Sequence, residues 1–197
     1  MQVYRQSVGT VLTELNATAC GFRALEDSFV SIFEVLTDLI LTENALVRLP
    51  DKFTSYLSTL QLLRLDSNAI DSISNNDWSF TKDLTILDLT SNKLNDLPDS
   101  LGFCLKLTNF FIMQNPIKHI PYTFSSLTGL EIFECDVDNL TDIQNLSAAI
   151  QWQHYGSPPL TVLVRGARAL ARYYEMVHAA STGVFLNLSG IGMSAIP

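Results

Sequence analysis

The chain has 197 residues, 47% of them apolar, enough to bury a sizeable core as one or two domains. Twelve Lys and Arg stand against twenty Asp and Glu, giving a formal charge of -8. That balance excludes general binding to a phosphate backbone, so nucleic acid is not the expected partner. Three cysteines, Cys20, Cys104 and Cys135, form no C-x-x-C pair. Neither a disulfide framework nor a metal site is expected of them, and a reducing, cytoplasmic setting is the simpler one.

The first ten residues lack the apolar core of a signal peptide, and no run approaches the roughly 20 apolar residues of a membrane span. The most apolar stretch, 29–41, is broken by Glu34 and Asp38. Asn16, Asn139, Asn145 and Asn187 begin N-x-[ST] tripeptides, which matter only in a secreted chain.

From Leu12 onward the chain repeats. Leu12, Leu15, Ala17, Cys20, Phe22 and Leu25 set a frame that returns as Leu36, Leu39, Leu41, Asn44, Leu46 and Leu49 with Pro50. Leu60, Leu63, Leu65, Asn68, Ile70 and Ile73 follow. The clearest unit is Leu84 to Pro98, which reads L-x-x-L-x-L-x-x-N-x-L-x-x-L-P. Two more units come after it: Leu107, Phe110, Ile112, Asn115, Ile117 and Ile120 with Pro121, then Leu130, Phe133, Cys135, Asp138, Leu140 and Ile143. The starts at 12, 36, 60, 84, 107 and 130 are 23 or 24 residues apart, a fixed period that chance does not produce six times.

Each position in the frame has a physical reason. The L-x-L core alternates with period two, which predicts a short strand with its leucines inward and its x residues outward. Stacked units then form a parallel sheet. The structural column Cys20, Asn44, Asn68, Asn92, Asn115 and Asp138 sits where the chain leaves that sheet. An amide has donors and an acceptor, so it can satisfy the backbone of the turn and tie coil to coil. Cys20 fits as a weak donor in a small buried space. Asp138 cannot donate when ionised, so the sixth unit is expected to be tied less tightly to its successor.

The return segments carry a second column, Phe29, Phe53, Trp78, Leu101, Phe124 and Leu146, expected to fill the core rather than to bind. Pro50, Pro98 and Pro121 open return segments with a fixed φ and no donor, which favours short turns or 3₁₀ pieces over long helices. The array is assigned to 1–150, about six full repeats. A connector and helix occupy 151–183, where Leu163, Ala167, Leu170, Tyr174 and Val177 form an apolar stripe between Leu160 and Ala180 and Arg165, Arg168 and Arg172 lie off it. The helix is expected to pack on the end of the array. Residues 184–197 restart the frame with Leu186, Leu188, Met193 and Ile196 and stop within a repeat, which suggests a fragment of a longer protein.

With these residues in place, the chain resembles a leucine-rich repeat protein of the 23-residue class, similar to the intracellular Ras-group-related and plant-type families. The likeness covers Leu12 to Leu146 and resumes near Val184. The Pro158-Pro159 segment and the helix after it are similar to the tail that closes such arrays. The resemblance implies an α/β fold, a right-handed leucine-rich repeat solenoid. Its curved parallel sheet would line the concave face, with short 3₁₀, helical or irregular segments on the convex side and a C-terminal helix. It also implies a protein-binding scaffold.

Because strand x residues point outward, the concave face can be read from the frame. Its candidate binding residues are Ile40, Leu62, Arg64, Asp66, Ile86, Asp88, Phe111, Met113, Ile132, Glu134 and Asp136. Exposed apolar residues rimmed by acids suit a protein partner with apolar anchors and basic flanks. No catalytic constellation is expected. His119, His154 and His178 are far apart, the Ser-Gly-Ile-Gly-Met-Ser run at 189–194 is explained by the repeat frame, and Cys104 and His119 both fall in return segments. The function expected is a non-catalytic, protein-binding scaffold of intracellular signalling or regulation, without cofactor or metal. The alternative is the recognition or regulatory segment of a larger multidomain enzyme, a kinase or GTPase, whose catalytic domain lies outside this chain.

Overall fold

The structure, a computed structural model, describes residues 11–136. The leucine-x-leucine cores become six strands of three residues each: β1 Glu14–Asn16, β2 Asp38–Ile40, β3 Leu62–Arg64, β4 Ile86–Asp88, β5 Asn109–Phe111 and β6 Ile132–Glu134. They form one parallel sheet in sequence order. Three residues suffice because each strand is held by its neighbours rather than by its own length.

Register follows the sequence frame without a slip. The middle residues Leu15, Leu39, Leu63, Leu87, Phe110 and Phe133 stand opposite one another along the array. Leu39, Leu63, Leu87 and Phe110 are buried, while Leu15 and Phe133 at the two ends are half-buried. A one-residue slip would turn this whole row to solvent, which is why the register is so strongly specified.

The return segments are short, as the prolines and the coil length require. Coils one and two carry single α-turns, α1 Asp27–Val30 and α2 Phe53–Tyr56. Coils three to five carry 3₁₀ segments instead, at Trp78–Phe80, Asp99–Phe103 and Tyr122–Ser126. The change has a spacing cause. From Phe53 to Leu60 is seven residues, but from Trp78 to Leu84, Leu101 to Leu107 and Phe124 to Leu130 it is six. A 3₁₀ turn rises further per residue than an α-turn and so covers the same return with fewer.

Phe53, Trp78, Leu101 and Phe124 are fully buried beneath these returns. The Trp78 indole N–H donates to the Ile73 carbonyl at 3.2 Å, so its polar end is satisfied inside the core. Phe29 departs from the column: it is half-buried, packed edge-on to Phe33 at 5.2 Å and tilted against Phe22 at 6.2 Å. Phe110, Phe124 and Phe133 fill the other end of the core, with ring centroids 5.6 to 6.5 Å apart.

Residues 137–197 lie outside the described residues. The connector and helix assigned to 151–183, the repeat start at 184–197, and Asp138, Leu140, Ile143 and Leu146 all fall there.

Candidate functional site

The outward residues of the sheet form two straight columns. One runs Glu14, Asp38, Leu62, Ile86, Asn109, Ile132, and the other Asn16, Ile40, Arg64, Asp88, Phe111, Glu134. Just past the strands, Asp66, Met113 and Asp136 extend the same surface. In this arrangement Leu62, Ile86, Phe111 and Met113 are half-buried and Ile132 is exposed, so apolar side chains lie in the middle and far half of an open sheet.

Acids surround them. Glu14, Asp38, Glu43, Asp66, Asp88, Glu134 and Asp136 share the face with one base, Arg64, which is exposed. Several of these carboxylates already hold local bonds: Asp38 accepts from the Thr37 hydroxyl at 3.0 Å, Asp66 from the Thr42 hydroxyl at 2.7 Å, and Asp88 from the Thr90 N–H at 3.0 Å. Asp136 accepts the Gln114 N–H. Each carboxylate can accept further bonds, so the side chains are positioned without being used up.

The structural column lies at the edge of this face. In the Asn92 amide, Nδ2 donates to its own coil at Leu89 O (2.9 Å) and Thr90 O (3.3 Å) and to the preceding coil at Leu65 O (3.0 Å). Its Oδ1 accepts the Ile70 N–H at 3.0 Å. Asn44, Asn68 and Asn115 repeat the pattern, accepting from Phe22, Leu46 and Leu94 N–H. The tie therefore reaches back to the preceding coil rather than forward to the next. Asp138, the last member of the column, lies outside the described residues.

Cys20 does not occupy a buried space. It is exposed, and its thiol reaches only the Thr18 carbonyl of its own coil, at 3.5 Å. A thiol has one weak donor and no amide oxygen, so it cannot span two coils as Asn44 does.

Three positional rules were not visible in the leucine pattern. Ala19, Glu43, Ser67, Ser91 and Gln114, each just before the structural column, have φ between 53° and 58°. None is glycine or asparagine, so the turns they make carry no composition signal; after Glu43, Ser67, Ser91 and Gln114 the amide that follows bonds the carbonyl three residues before it and closes the turn. Asn76 is a second buried amide: it accepts the Thr54 N–H at 3.2 Å at the start of α2 and donates to Pro50 O at 3.0 Å. The Asn75-Asn76-Asp77 run is its only trace in the sequence. Thr37, Thr85 and Thr108 hydroxyls each donate to the coil before them, at Thr13 O, Gln61 O and Thr85 O.

Cys104 is not placed for nucleophilic chemistry. It is fully buried, donates to Trp78 O at 3.3 Å and lies 3.5 Å from the Thr81 hydroxyl, while His119 is exposed. Burial pushes its thiol up to about 11, with the Asp77 charge adding to the rise and the Thr81 bond opposing it, so it stays protonated near neutrality. Burial likewise raises Cys135 to about 12, with Asp136 contributing. Among the described residues no group of His, Cys, Asp and Glu could hold a metal ion, and no helix is long and apolar enough to cross a membrane.

Residues 34–94, spanning the second and third coils and part of the fourth, match the family model described as leucine rich repeat. No curated protein matches the chain. Among solved structures, the ectodomain of the Arabidopsis receptor kinase HAESA with an N-terminally extended IDA peptide hormone is 26% identical, with a TM-score of 0.54 over 64% of this chain and 22% of that one. The PEPR1–AtPEP1 structure is 27% identical, with a TM-score of 0.57 over 66% of this chain and 19% of that one. The LRIM1/APL1C complex shares the fold at 20% identity, with a TM-score of 0.56 over 64% and 23%. This chain thus spans about a fifth of the length of the solved chains it resembles. One coil grammar runs through all six strands, the leucine rich repeat model matches within the array and solved arrays superpose on it, and on these grounds the described residues form a leucine-rich repeat array.

Proposed function

We propose that the outward sheet face binds an extended protein segment with apolar anchors and basic flanks, and that the array acts as a non-catalytic scaffold. The observation that carries this is the juxtaposition of Leu62, Ile86, Phe111, Met113 and Ile132 with a surround of acids opposed by Arg64 alone. Apolar side chains left on an open sheet and rimmed by charge suit a protein contact, with Phe111 the natural anchor point. One of the similar arrays, the HAESA ectodomain, is solved in complex with the IDA peptide hormone, which supports a peptide-like partner.

The test is the double variant Ile86→Asp, Phe111→Asp. It should keep the native circular dichroism, because both side chains leave the core intact, and should lose binding to the partner by about a hundredfold, as expected of a central anchor. Unchanged affinity would reject the face as the site. The partner can be found by screening a library of displayed peptides on the native chain and counter-screening on the variant.

A second reading has the array as the recognition segment of a larger multidomain enzyme; the similarity to a receptor kinase ectodomain favours it. The full-length transcript decides it: an open reading frame continuing into a kinase or GTPase domain supports it, and one without such a domain rejects it. The cytoplasm is proposed as the setting, supported by three free thiols. The exposed Asn16 tests that placement. A glycan found there by mass spectrometry of protein from its own cells would move the chain to the secretory pathway.

A further inference from the structure

The return side of the array carries apolar side chains that the coil grammar does not ask for. Two residues beyond Phe29, Phe53 and Phe124 of the core column stand Ser31, Ser55 and Ser126, all exposed. At the same step beyond Trp78 and Leu101 stand Phe80 and Phe103, 50% and 52% exposed, and Leu105 nearby is 60% exposed. The 3₁₀ segments ending in these two phenylalanines pack against each other. Solvation would favour serine at both positions, as in the other three coils; two adjacent coils instead hold rings in water.

Beside Phe103 opens a shallow, solvent-open groove of about 770 Å³, lined by Asn75, Asp77, Ser79, Asp99, Ser100 and Phe103. Asp77, one residue before Trp78, and Asp99, two before Leu101, line it from successive coils, and both are exposed. Asp77 gives one carboxylate oxygen to the Ser79 N–H at 3.0 Å. Lys106, beside Leu105, is already paired with Asp83, so it does not neutralise the groove.

We propose that this groove docks an arginine-bearing segment of a partner protein, with the guanidinium between the Asp77 and Asp99 carboxylates and on the Phe103 ring. An aliphatic neighbour of that arginine covers Phe80 and Leu105. A planar guanidinium stacks on an aromatic face and forks to a carboxylate at the same time, which an ammonium does not do. The net charge of -8 draws cationic segments toward the chain. The site is separate from the sheet face and stands independently of the function proposed for that face.

The probe is a short fluorescent peptide alternating Arg and Leu, titrated with the full chain, beside Lys-Leu and Glu-Leu versions of it. The Arg peptide should bind about tenfold more tightly than the Lys peptide, and the Glu peptide not at all. Phe80→Ser with Phe103→Ser uses the residue the other coils carry, so the fold is kept, and should weaken the Arg peptide by about tenfold. Asp77→Asn with Asp99→Asn retains the Ser79 bond and should weaken it by a similar factor. Native affinity in either double variant, or equal binding of the Arg and Lys peptides, would overturn the proposal. So would loss of the Arg peptide in the Ile86→Asp, Phe111→Asp chain, because the sheet face would then be what holds it.

Discussion

Asn92 makes four hydrogen bonds, two of them to the preceding coil, and is buried. Asn92→Ala leaves the Ile70 N–H and the carbonyls of Leu65 and Leu89 without that partner in a setting closed to water. The expected loss is about 3 kcal/mol of unfolding free energy in urea titrations, above what the deleted atoms alone would cost. An alanine that cost nothing would show that the coils are joined by leucine packing only. Cys104 offers a second check, through pH. Burial raises its pKa from the ordinary 9.0 to about 11, so the folded chain holds the proton more tightly than the unfolded chain does. That contribution is complete below about pH 9 and is lost as pH rises from there toward 11, by about 3 kcal/mol at most. Cys104→Ala should therefore lose less stability between about pH 8 and about pH 10.5 than the native chain does. Equal losses would assign the alkaline effect to other groups. A thiol reagent should label the exposed Cys20 in the folded chain and reach Cys104 only on unfolding.

At the scale of elements, the tightest junction is between the 3₁₀ segments of coils four and five. A Cβ on Gly102 would lie 2.5 Å from the Thr123 carbonyl oxygen and 2.6 Å from its carbonyl carbon. Backbone cannot swing aside as a side chain can, so Gly102→Ala must push the two segments apart. The expected cost is about 3 kcal/mol, measured by urea or thermal unfolding, with the sheet dichroism retained below the transition. A neutral Gly102→Ala would mean that these returns are held loosely. This glycine was silent in the sequence: it sits at an unremarkable place in a return segment, and only the approach of Thr123 from the next coil makes it obligatory. The strands were the opposite case. Leu87 and Leu89 alternate with Ile86 and Asp88, and a period of two repeated every 23 or 24 residues leaves no other register that buries the leucines.

Across the described residues the array is a one-dimensional stack in which each coil touches its neighbours. Burial along the inward strand row follows from that: Leu63 and Leu87 are fully buried, Leu15 half-buried. Leu87→Ala should cost about 3 kcal/mol and Leu15→Ala about 1 kcal/mol by urea unfolding, since a fully buried side chain gives up more contacts and leaves a larger cavity than a half-buried one. Similar costs at both sites would argue for a single undivided core. The two sides of the stack then carry separate chemistry, acids with apolar anchors on the sheet and an acidic groove with two phenylalanines on the returns.

What the sequence determined by itself was everything that repeats. The leucine rows, the strand order, the outward columns and the asparagine tie follow from a local rule applied coil after coil, because burial of a period-two strand and satisfaction of a turn's backbone are decided within one coil and its neighbour. What only the tertiary structure decided was whatever depends on the approach of one coil to another: the backward direction of the Asn92 tie, the exposure of Cys20, the contact that requires Gly102, and the groove lined by Asp77 and Asp99. Those distances are set by stacking, and no single coil contains them.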